Sequence, residues 1–572
     1  MKTKKHFTKL VASVSLAVAA VVPSFGQTSL GSACGCRPVA SRPTKLMSTI
    51  NGFTALTPTT YTIGGVTKTT VPGGELSKGA TLSCDTIYIL DKKIYIPSGQ
   101  TLTINPGTVI KGRYDAAPEN ANALVIERGG KIMAEGSADC QIVFTAENDN
   151  LNGAYPIANK GQWGGLVILG KATNNLTLSG NGPFVAGGAG KLAVADGLGT
   201  MEGFASTGVQ DQYGANLTGG ESFNDNDNSG ILKYVSIRYS GAILAVGAEL
   251  NALSLGSVGR GTTIEHVEIV SCADDNIEIY GGTVNLKYIT TLFGNDDMFD
   301  WDLGWTGKAQ FLFGMKTDNT ASVDSDNGFE SDSDDQKTNA ALKSTPVIYN
   351  ATILGNEKTA TTSDNSSIAA INAKELTGGE IYNSVFANFK NGLNLVKSLG
   401  TRTGTSEAYH NWSNSLGNGS EILKVKCNTF VGCTNPLTVG SSAGNVVAAD
   451  NTQFTTTDLN TIVTGNTLPG FDYSFAVDNT TNVFTAKNDP VPNPALSVAG
   501  CPVAPADGFF RAANYRGAFA STGDNWLSDW SYSQILGATK GLVSCPTDIN
   551  GDGVTNVSDF LLFAPAFGTS CN

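Results

Sequence analysis

Acidic residues recur at a fixed spacing near the middle of the chain. Segment 264–283 falls without gaps on segment 286–305 after a shift of 22 residues. The shift places acid over acid, namely Asp274 over Asp296, Asp275 over Asp297 and Glu278 over Asp300. The later string SDNGFESD would add Asp326 and Glu330. From 274 to 335 there are 14 acids and three lysines, which give this stretch a net charge of −11.

These carboxylates have three interpretations. They could be solvated turn residues, since Asp and Asn favour turns. They could bind Ca²⁺, a hard cation that takes oxygen ligands, through Asp274, Asp275, Asp296, Asp297, Asp326 and Glu330. They could also form a catalytic pair, because glycoside hydrolysis needs two carboxyl groups roughly 5 to 9 Å apart. The residues for that role are Asp274, Glu278, Asp296 and Asp300.

Aromatic residues flank the same columns. Trp301 and Trp305 could offer a platform on which a sugar ring stacks, although aromatic residues at such positions also pack in cores. His266 aligns with Tyr288 and Tyr234, so we interpret it as a member of an aromatic packing column. The chain has three histidines in all. This number disfavours a Ser/His/Asp triad and a His-rich metal centre.

A second calcium motif lies near the C-terminus, in the string DINGDGVTNVSDF. Its spacing fits the loop D-x-[DN]-x-[DN]-G, with Asp in place of Glu at the last position. The predicted ligands are Asp548, Asn550, Asp552, Val554, Asn556 and Asp559. An apolar helix should follow from 558 to 567 and bend or end at Pro565. The alternative is a turn that is merely rich in Asp and Asn.

This loop resembles a dockerin repeat. A dockerin carries two such repeats, whereas this chain has one and stops at Asn572. The resemblance implies a cohesin-like or surface-anchoring partner, and the single copy weakens the cohesin interpretation. A calcium-clamped hairpin, closed by Cys545 and Cys571, could equally stabilise the chain end.

Short β-branched and aromatic runs, separated by Gly, Asn and Asp, begin at about residue 86 and predict strands with tight turns. No amphipathic helix of useful length separates these runs, which excludes alternating βα folds. A repeat of about 22 residues with two or three strands is typical of one turn of a parallel β-helix. Equivalent residues of successive coils would then lie roughly 4.8 Å apart.

Several phrases of the sequence together resemble a family of secreted right-handed parallel β-helix proteins that is frequent in Bacteroidetes-type bacteria. The phrases are GQTLTINPGTVIKG, ALVIERGGKIMAEG, GQWGGLVILGKA, the 22-residue repeats and YRGAFASTGDNWLSDW. The resemblance covers about residues 80 to 535 and implies a right-handed parallel β-helix. It implies little about activity, because the biochemical role of that family is poorly defined.

The same fold carries enzymes that act on polysaccharides. Its polygalacturonases add a Gly-His-Gly and an Arg-x-Lys string to their acids, and neither string occurs in this sequence. Its polysaccharide lyases use calcium together with a basic residue. Lys233, Arg238 and Lys287 are the basic residues nearest the acids in sequence, and a salt bridge on the coil surface is the competing role for each.

The chain of 572 residues has a net charge of −13 and only 15% charged residues. This acidity disfavours nucleic acid, whose phosphates need basic patches. Residues 1–26 carry four lysines, an apolar run and small residues before a predicted cleavage after Gly26, as in a secretory signal. No later run is long enough to span a membrane. We therefore expect a secreted or cell-surface protein whose mature chain has a net charge of −17.

Export permits disulfides among the ten cysteines, and Cys427/Cys433 and Cys545/Cys571 are the natural local pairs. The predicted organisation is a signal peptide (1–26), an N-terminal leader and cap (27–80), a right-handed parallel β-helix (81–485), a C-terminal cap (486–544) and a small calcium-loop/helix unit (545–572). The predicted function is a calcium-binding protein that binds glycans or serves as a structural or adhesive element. The alternative is a calcium-dependent polysaccharide lyase or a glycoside hydrolase.

Overall fold

The computed structural model describes most of the chain between residues 30 and 539. The gaps within it are 59, 64–65, 70–72, 118–119, 178–191, 205–207, 246–247, 317–326, 334–341, 357–368, 397–407, 414–420, 441, 466–467, 473–476, 479–482, 485–487, 493, 522–523 and 529. The predicted signal, the terminal calcium loop with Cys545 and Cys571, and Asp326 therefore lie outside the described residues.

Two long sheets of mainly parallel strands form the body of the protein. The 17 strands of sheet 1 are Thr44–Leu46, Ala80–Leu82, Ile87–Leu90, Thr101–Ile104, Val109–Gly112, Lys131–Glu135, Ile142–Ala146, Gly230–Arg238, Thr263–Val270, Asn285–Leu292, Lys308–Met315, Val347–Leu354, Gly379–Tyr382, Val385–Ala387, Leu423–Lys426, Thr429–Val431 and Thr461–Val463. The 12 strands of sheet 2 are Phe53–Ala55, Gly74–Leu76, Ile94–Ile96, Ala123–Ile126, Gly165–Leu169, Leu253–Gly256, Ile277–Tyr280, Phe299–Asp302, Phe329–Ser331, Ala369–Ala373, Asn391–Leu395 and Asn435–Val439. The chain alternates between the sheets, so the predicted parallel β-helix is confirmed.

Smaller elements decorate the coils. A three-stranded sheet contains Leu192–Ala195, Leu198–Thr200 and Gln212–Gly214, and four antiparallel pairs join Thr60–Ile63 to Val66–Thr69, Ala242–Ala245 to Ala248–Leu250, Phe471–Asp472 to Asp489–Pro490, and Val477–Asp478 to Val483–Phe484. The described α-helices are the short segments Ala408–Ser413, Ala448–Thr452 and Tyr532–Ile535. None of the helices in the described part of the chain is long and apolar enough to cross a bilayer.

The core is built from columns of equivalent residues on successive coils. On sheet 2 one buried column is entirely apolar and runs through Ile94, Leu124, Leu166, Leu253, Ile277, Phe299, Phe329, Ile371, Leu393 and Leu437. Because strand residues alternate between faces, their neighbours form an outer column. That column changes from Val125 and Val167 to Ser254, Glu278, Asp300 and Glu330. Polar chemistry therefore concentrates on the outer face of the middle coils.

A bend within the strands of sheet 1 places aromatic rings in register. Tyr234, His266, Tyr288 and Phe311 all have positive φ angles, between 49° and 60°, a region that non-glycine residues rarely adopt. The rings stack with centroid separations of 4.5, 4.5 and 5.0 Å. The predicted aromatic column at His266 is confirmed, because the His266 ring stacks on Tyr234 on one side and on Tyr288 on the other.

Residues 494–539, which we call the C-terminal strap, lie along the flank of sheet 1. Gln141 donates a hydrogen bond to the carbonyl of Trp530, and Lys287 donates to that of Phe509. A disulfide joins Cys501 to Cys427. This segment belongs to the predicted C-terminal cap, and its described contacts are with the sides of many coils.

Three disulfides occur among the described residues, and they correct one predicted pairing. Cys427 is bonded to Cys501, so its predicted pairing with Cys433 is wrong. The chain returns along the coils and brings Cys501, which is 74 residues away in sequence, to Cys427. Near the N-terminus, Cys34 is bonded to Cys140 and Cys36 to Cys84, which tie the first described residues to the early coils.

Candidate functional site

Two overlapping groups of carboxylates lie at the turns from sheet 1 into sheet 2 and on the sheet 2 strands that follow those turns. The first contains Asp274, Asp275 and Asp296, and the second contains Asp275, Glu278 and Asp300. Within each group, one oxygen from every residue lies within 4.8 Å of the others. Two oxygens on opposite sides of a calcium ion, each bound at about 2.4 Å, would be about 4.8 Å apart. The spacing therefore suits a divalent cation.

The backbone register explains why these acids meet. The strand pairing sets Glu278 opposite Asp300 on adjacent coils, as the 22-residue shift predicts. Asp275 precedes the strand that carries Glu278, and its Oδ1 accepts a hydrogen bond of 2.8 Å from the backbone N–H of Asp297. Asp275 therefore bridges two coils with one oxygen. It is also the residue shared by both carboxylate groups.

Burial destabilises the ionised form of Asp275. Asp275, Glu278 and Asp300 are each no more than 7% exposed, whereas Asp274 and Asp296 are half-buried. Burial raises the pKa of Asp275 well above its usual value, and the negative charges of Asp274 and Asp296 raise it further. A bound cation would reverse this effect, because it favours the ionised carboxylates.

Glu278 is held by neighbours that the sequence analysis missed. Asn251 donates a hydrogen bond of 2.6 Å to Glu278 Oε2, and the hydroxyl of Tyr280 donates to the same oxygen. Tyr280 also lies 3.2 Å from Glu202 Oε2. The sequence comparison did not identify Asn251 because its coil precedes the regular 22-residue repeats. Ser254 on that coil pairs with Glu278, so the two coils are 24 residues apart and not 22.

Asp297 and Glu330, two of the predicted calcium ligands, belong to neither group. Asp297 Oδ1 accepts a hydrogen bond of 2.7 Å from the backbone N–H of Asn327, and burial together with Glu330 raises its pKa well above the usual value. Glu330 accepts hydrogen bonds from Asn327 and from Lys374. These interactions give both carboxylates a structural role between coils.

Two lysines offset part of the acidic charge. Lys374 forms ion pairs with Glu330 and Asp332. Burial alone would lower the pKa of Lys374, but Asp332 and Glu330 raise it well above the usual value. Lys316 donates to the backbone carbonyls of Gly294 and Asp296. Sequence reasoning overlooked Lys374 because it lies 44 residues beyond Glu330, outside the regular repeat.

The predicted sugar platform is corrected by the structure. Trp301 and Trp305 are each 1% exposed and belong to the coil core. Their rings lie 5.6 Å apart, and Trp305 Nε1 donates a hydrogen bond to the carbonyl of Val284. The rings therefore pack inside the β-helix, because alternation along strand 299–302 turns Trp301 inward while Asp300 faces outward.

The basic residues nearest in sequence lie on sheet 1. Arg238 forms a buried ion pair with Glu268, at 3.7 Å between Nη2 and Oε1. Lys287 donates to the carbonyl of Phe509, and Lys233 pairs in register with Glu265. The predicted salt bridge of Arg238 is present, but it is buried rather than on the surface, because the C-terminal strap covers it.

Residues 74–467 match a family model described as a pectate-lyase-like β-helix domain. The match covers about two thirds of the chain, and the protein belongs to this family. No curated protein and no solved structure matches the chain significantly. The expected membership of a parallel β-helix family is thus confirmed. A pectate-lyase-like domain fits a function related to polysaccharides.

Another buried carboxylate lies on an earlier coil, two residues after Val125 of the outer column. Glu127 is 9% exposed, and its Oε1 has no hydrogen-bond partner among the described residues. Burial raises the pKa of Glu127 to about 7, with contributions from Glu75 and Asp211. Its ionised form is therefore destabilising above neutral pH.

We expect Glu127→Gln to stabilise the protein at pH 8 and to leave it unchanged near pH 4. A raised pKa means that the folded state holds its proton more tightly, so the parent loses stability as the pH rises from about 4.5 through 7. The rise in pKa from 4.5 to about 7, at about 1.4 kcal/mol per pKa unit, gives an expected difference at pH 8 of about 3 kcal/mol. Urea unfolding at several pH values measures it, with exposed Glu135→Gln as the control. Parallel curves for the parent and Glu127→Gln would contradict the prediction.

Proposed function

We propose that this protein is an exported, calcium-binding β-helix protein that binds polysaccharide without cleaving it. The observation that carries the calcium proposal is the pair of carboxylate groups that share Asp275, with oxygens close enough to surround one ion. Membership of the pectate-lyase-like family supports the proposal that the ligand is a polysaccharide. Export is proposed from residues 1–26, which resemble a secretory signal.

Cleavage is the second candidate, and two observations disfavour it. Glu278 and Asp300 are buried, so a sugar ring could not enter between them without displacing the residues that cover this outer column. A lyase needs an unprotonated base near the acids. Lys374 is poorly suited because its raised pKa keeps it protonated at neutral pH. Asp274 and Asp296, which are half-buried, remain the carboxylates that a substrate could reach.

The terminal loop is proposed as a second calcium site with Asp548, Asn550, Asp552, Val554, Asn556 and Asp559 as ligands. Its role in this proposal is to stabilise the chain end or to anchor the protein to a surface partner. A cohesin-like partner is one form of this proposal, because the loop resembles a dockerin repeat.

A panel of soluble polysaccharides tests the function. Affinity electrophoresis with calcium or with chelator should show retardation by at least one polysaccharide, while assays for reducing ends and for unsaturated products stay at background. The Asp296→Ala/Asp300→Ala variant is the control for turnover. Product formation by the parent and its loss in this variant would establish the enzyme instead. An absence of retardation across the panel would overturn the binding proposal.

A further inference from the structure

A groove of about 190 Å³ lies on the same edge of the β-helix as the carboxylates. It is lined by Tyr114, Asp115, Gln162 and Trp163 together with four small residues. Ala273, which lines the groove, immediately precedes Asp274. The lining residues and three of the carboxylates, Asp274, Asp275 and Asp296, come from the connections that lead from sheet 1 into sheet 2. The groove and the candidate cation site therefore adjoin at Ala273 and Asp274.

The groove combines an aromatic face with hydrogen-bonding groups. Tyr114 is 54% exposed, which is unusual for a large aromatic side chain beside a groove. Asp115 is exposed, and its Oδ1 accepts a hydrogen bond from the backbone N–H of Ala117, so Oδ2 can serve as an acceptor for a ligand. Gln162 donates one hydrogen bond to the carbonyl of Lys160 and has a second amide hydrogen. The set offers a ring face, an acceptor and a donor.

Charge and size restrict the ligand. The lining that the structure describes contains one acid, Asp115, and no basic side chain. Lys160, which is close in sequence, directs its Nζ to Asn295 Oδ1 at 2.5 Å. An anionic sugar would meet Asp115 without a compensating cation in the groove. A volume of 190 Å³ is smaller than the roughly 300 to 1,000 Å³ of drug-sized pockets, so it suits one ring.

We infer that this groove is a subsite for a neutral sugar unit of a polysaccharide, with Tyr114 stacking on the ring and Asp115 and Gln162 bonding its hydroxyls. The inference rests on the proposed polysaccharide-binding function and adds the location and the charge class of the sugar. A chain bound there would extend along the turn edge towards Asp274. Because the groove residues supply the contacts, occupation of this subsite does not depend on calcium.

The test is titration calorimetry of the full chain with neutral oligosaccharides (gluco-, manno-, xylo- and galacto-series) and with oligogalacturonate, in chelator. We expect at least one neutral series to bind and Tyr114→Ala to weaken it at least tenfold. Tyr114→Phe, which keeps the ring, should retain most of the affinity. Val209→Ala, at a residue that is 72% exposed and absent from the groove lining, should have no effect.

Other outcomes would overturn the inference in separable ways. Neutral binding that survives Tyr114→Ala would place the sugar elsewhere and leave the proposed function intact. Binding of oligogalacturonate alone would contradict the neutral class. An absence of binding to every oligosaccharide and to the polysaccharide panel would remove the inference together with the proposed function. Circular dichroism and the melting temperature of Tyr114→Ala show whether a loss of affinity comes from misfolding.

Discussion

Calcium is expected to raise the melting temperature of this protein, and Asp275→Asn is expected to abolish the part of that rise that comes from the coils. A ligand that binds only the folded state at 100 times its dissociation constant stabilises it by about 2.7 kcal/mol. Asp275 belongs to both carboxylate groups, so its loss affects every arrangement of ligands around the ion. In chelator Asp275→Asn should melt at a higher temperature than the parent. The variant no longer carries a buried carboxylate whose pKa is raised well above its usual value.

The substitution is conservative for the backbone. Asn can still accept the hydrogen bond from the N–H of Asp297, as Asn327 does for the N–H of Ala369 two coils later. The matched control is Asp297→Asn, which removes a buried carboxylate outside the two groups and should leave the calcium shift intact. Both variants are measured by thermal melting with Asp548→Ala added, so that the terminal loop does not contribute. An equal calcium-induced rise in the melting temperatures of Asp275→Asn and its parent would contradict the proposed calcium site.

Glu268→Ala is expected to cost about 3 to 5 kcal/mol of unfolding free energy, because it leaves the buried charge of Arg238 uncompensated. Glu268 also accepts hydrogen bonds from the backbone N–H groups of Tyr532 and Ser533, at 2.8 and 3.0 Å, and one from the Ser533 hydroxyl. The side chain therefore fixes the C-terminal strap to the coils. Loss of these bonds should expose the strap to limited proteolysis.

Urea unfolding and proteolysis check this expectation. Glu265→Ala is the control, since this glutamate lies on the same strand but is partly exposed, and a change below about 1 kcal/mol is expected. If Glu268→Ala does not fold, the double variant Arg238→Met/Glu268→Met should recover part of the stability, because it removes both buried charges but still leaves the N–H groups of Tyr532 and Ser533 without their acceptor. A midpoint for Glu268→Ala equal to that of the parent would contradict the argument.

The sequence predicted the coils and the carboxylate columns wherever repeats follow one another without insertion. Glu278 lies opposite Asp300 because the two coils have the same length, and the aromatic stack at His266 follows for the same reason. Prediction failed where partners come from distant parts of the chain. Lys374 reaches Glu330 across 44 residues, and Cys501 reaches Cys427 across 74. A repeat comparison carries no information about such contacts.

Residue type alone also gave a wrong prediction where one type of residue can have two roles, as tryptophan can in a sugar-binding platform and in a core. Trp301 is the type of residue expected in a sugar platform. The direction of its side chain depends on strand alternation, however, which places Trp301 inside and Asp300 outside. The groove beside Tyr114 escaped prediction for a different reason. Its walls come from the turns of several coils, and the lengths of those turns follow no repeat.

The C-terminal strap has a consequence for the order in which the molecule is completed. Arg238 and Glu268 are synthesised well before Tyr532, whose ring lies 4.0 Å from the Arg238 guanidinium and whose N–H binds Glu268. Until Tyr532 has been synthesised, this ion pair lacks its cover. Large proteins expose apolar surface while they fold, and here that surface includes the flank on which Phe313 meets Phe519. Closure of the flank therefore follows the synthesis of the coils that the strap covers.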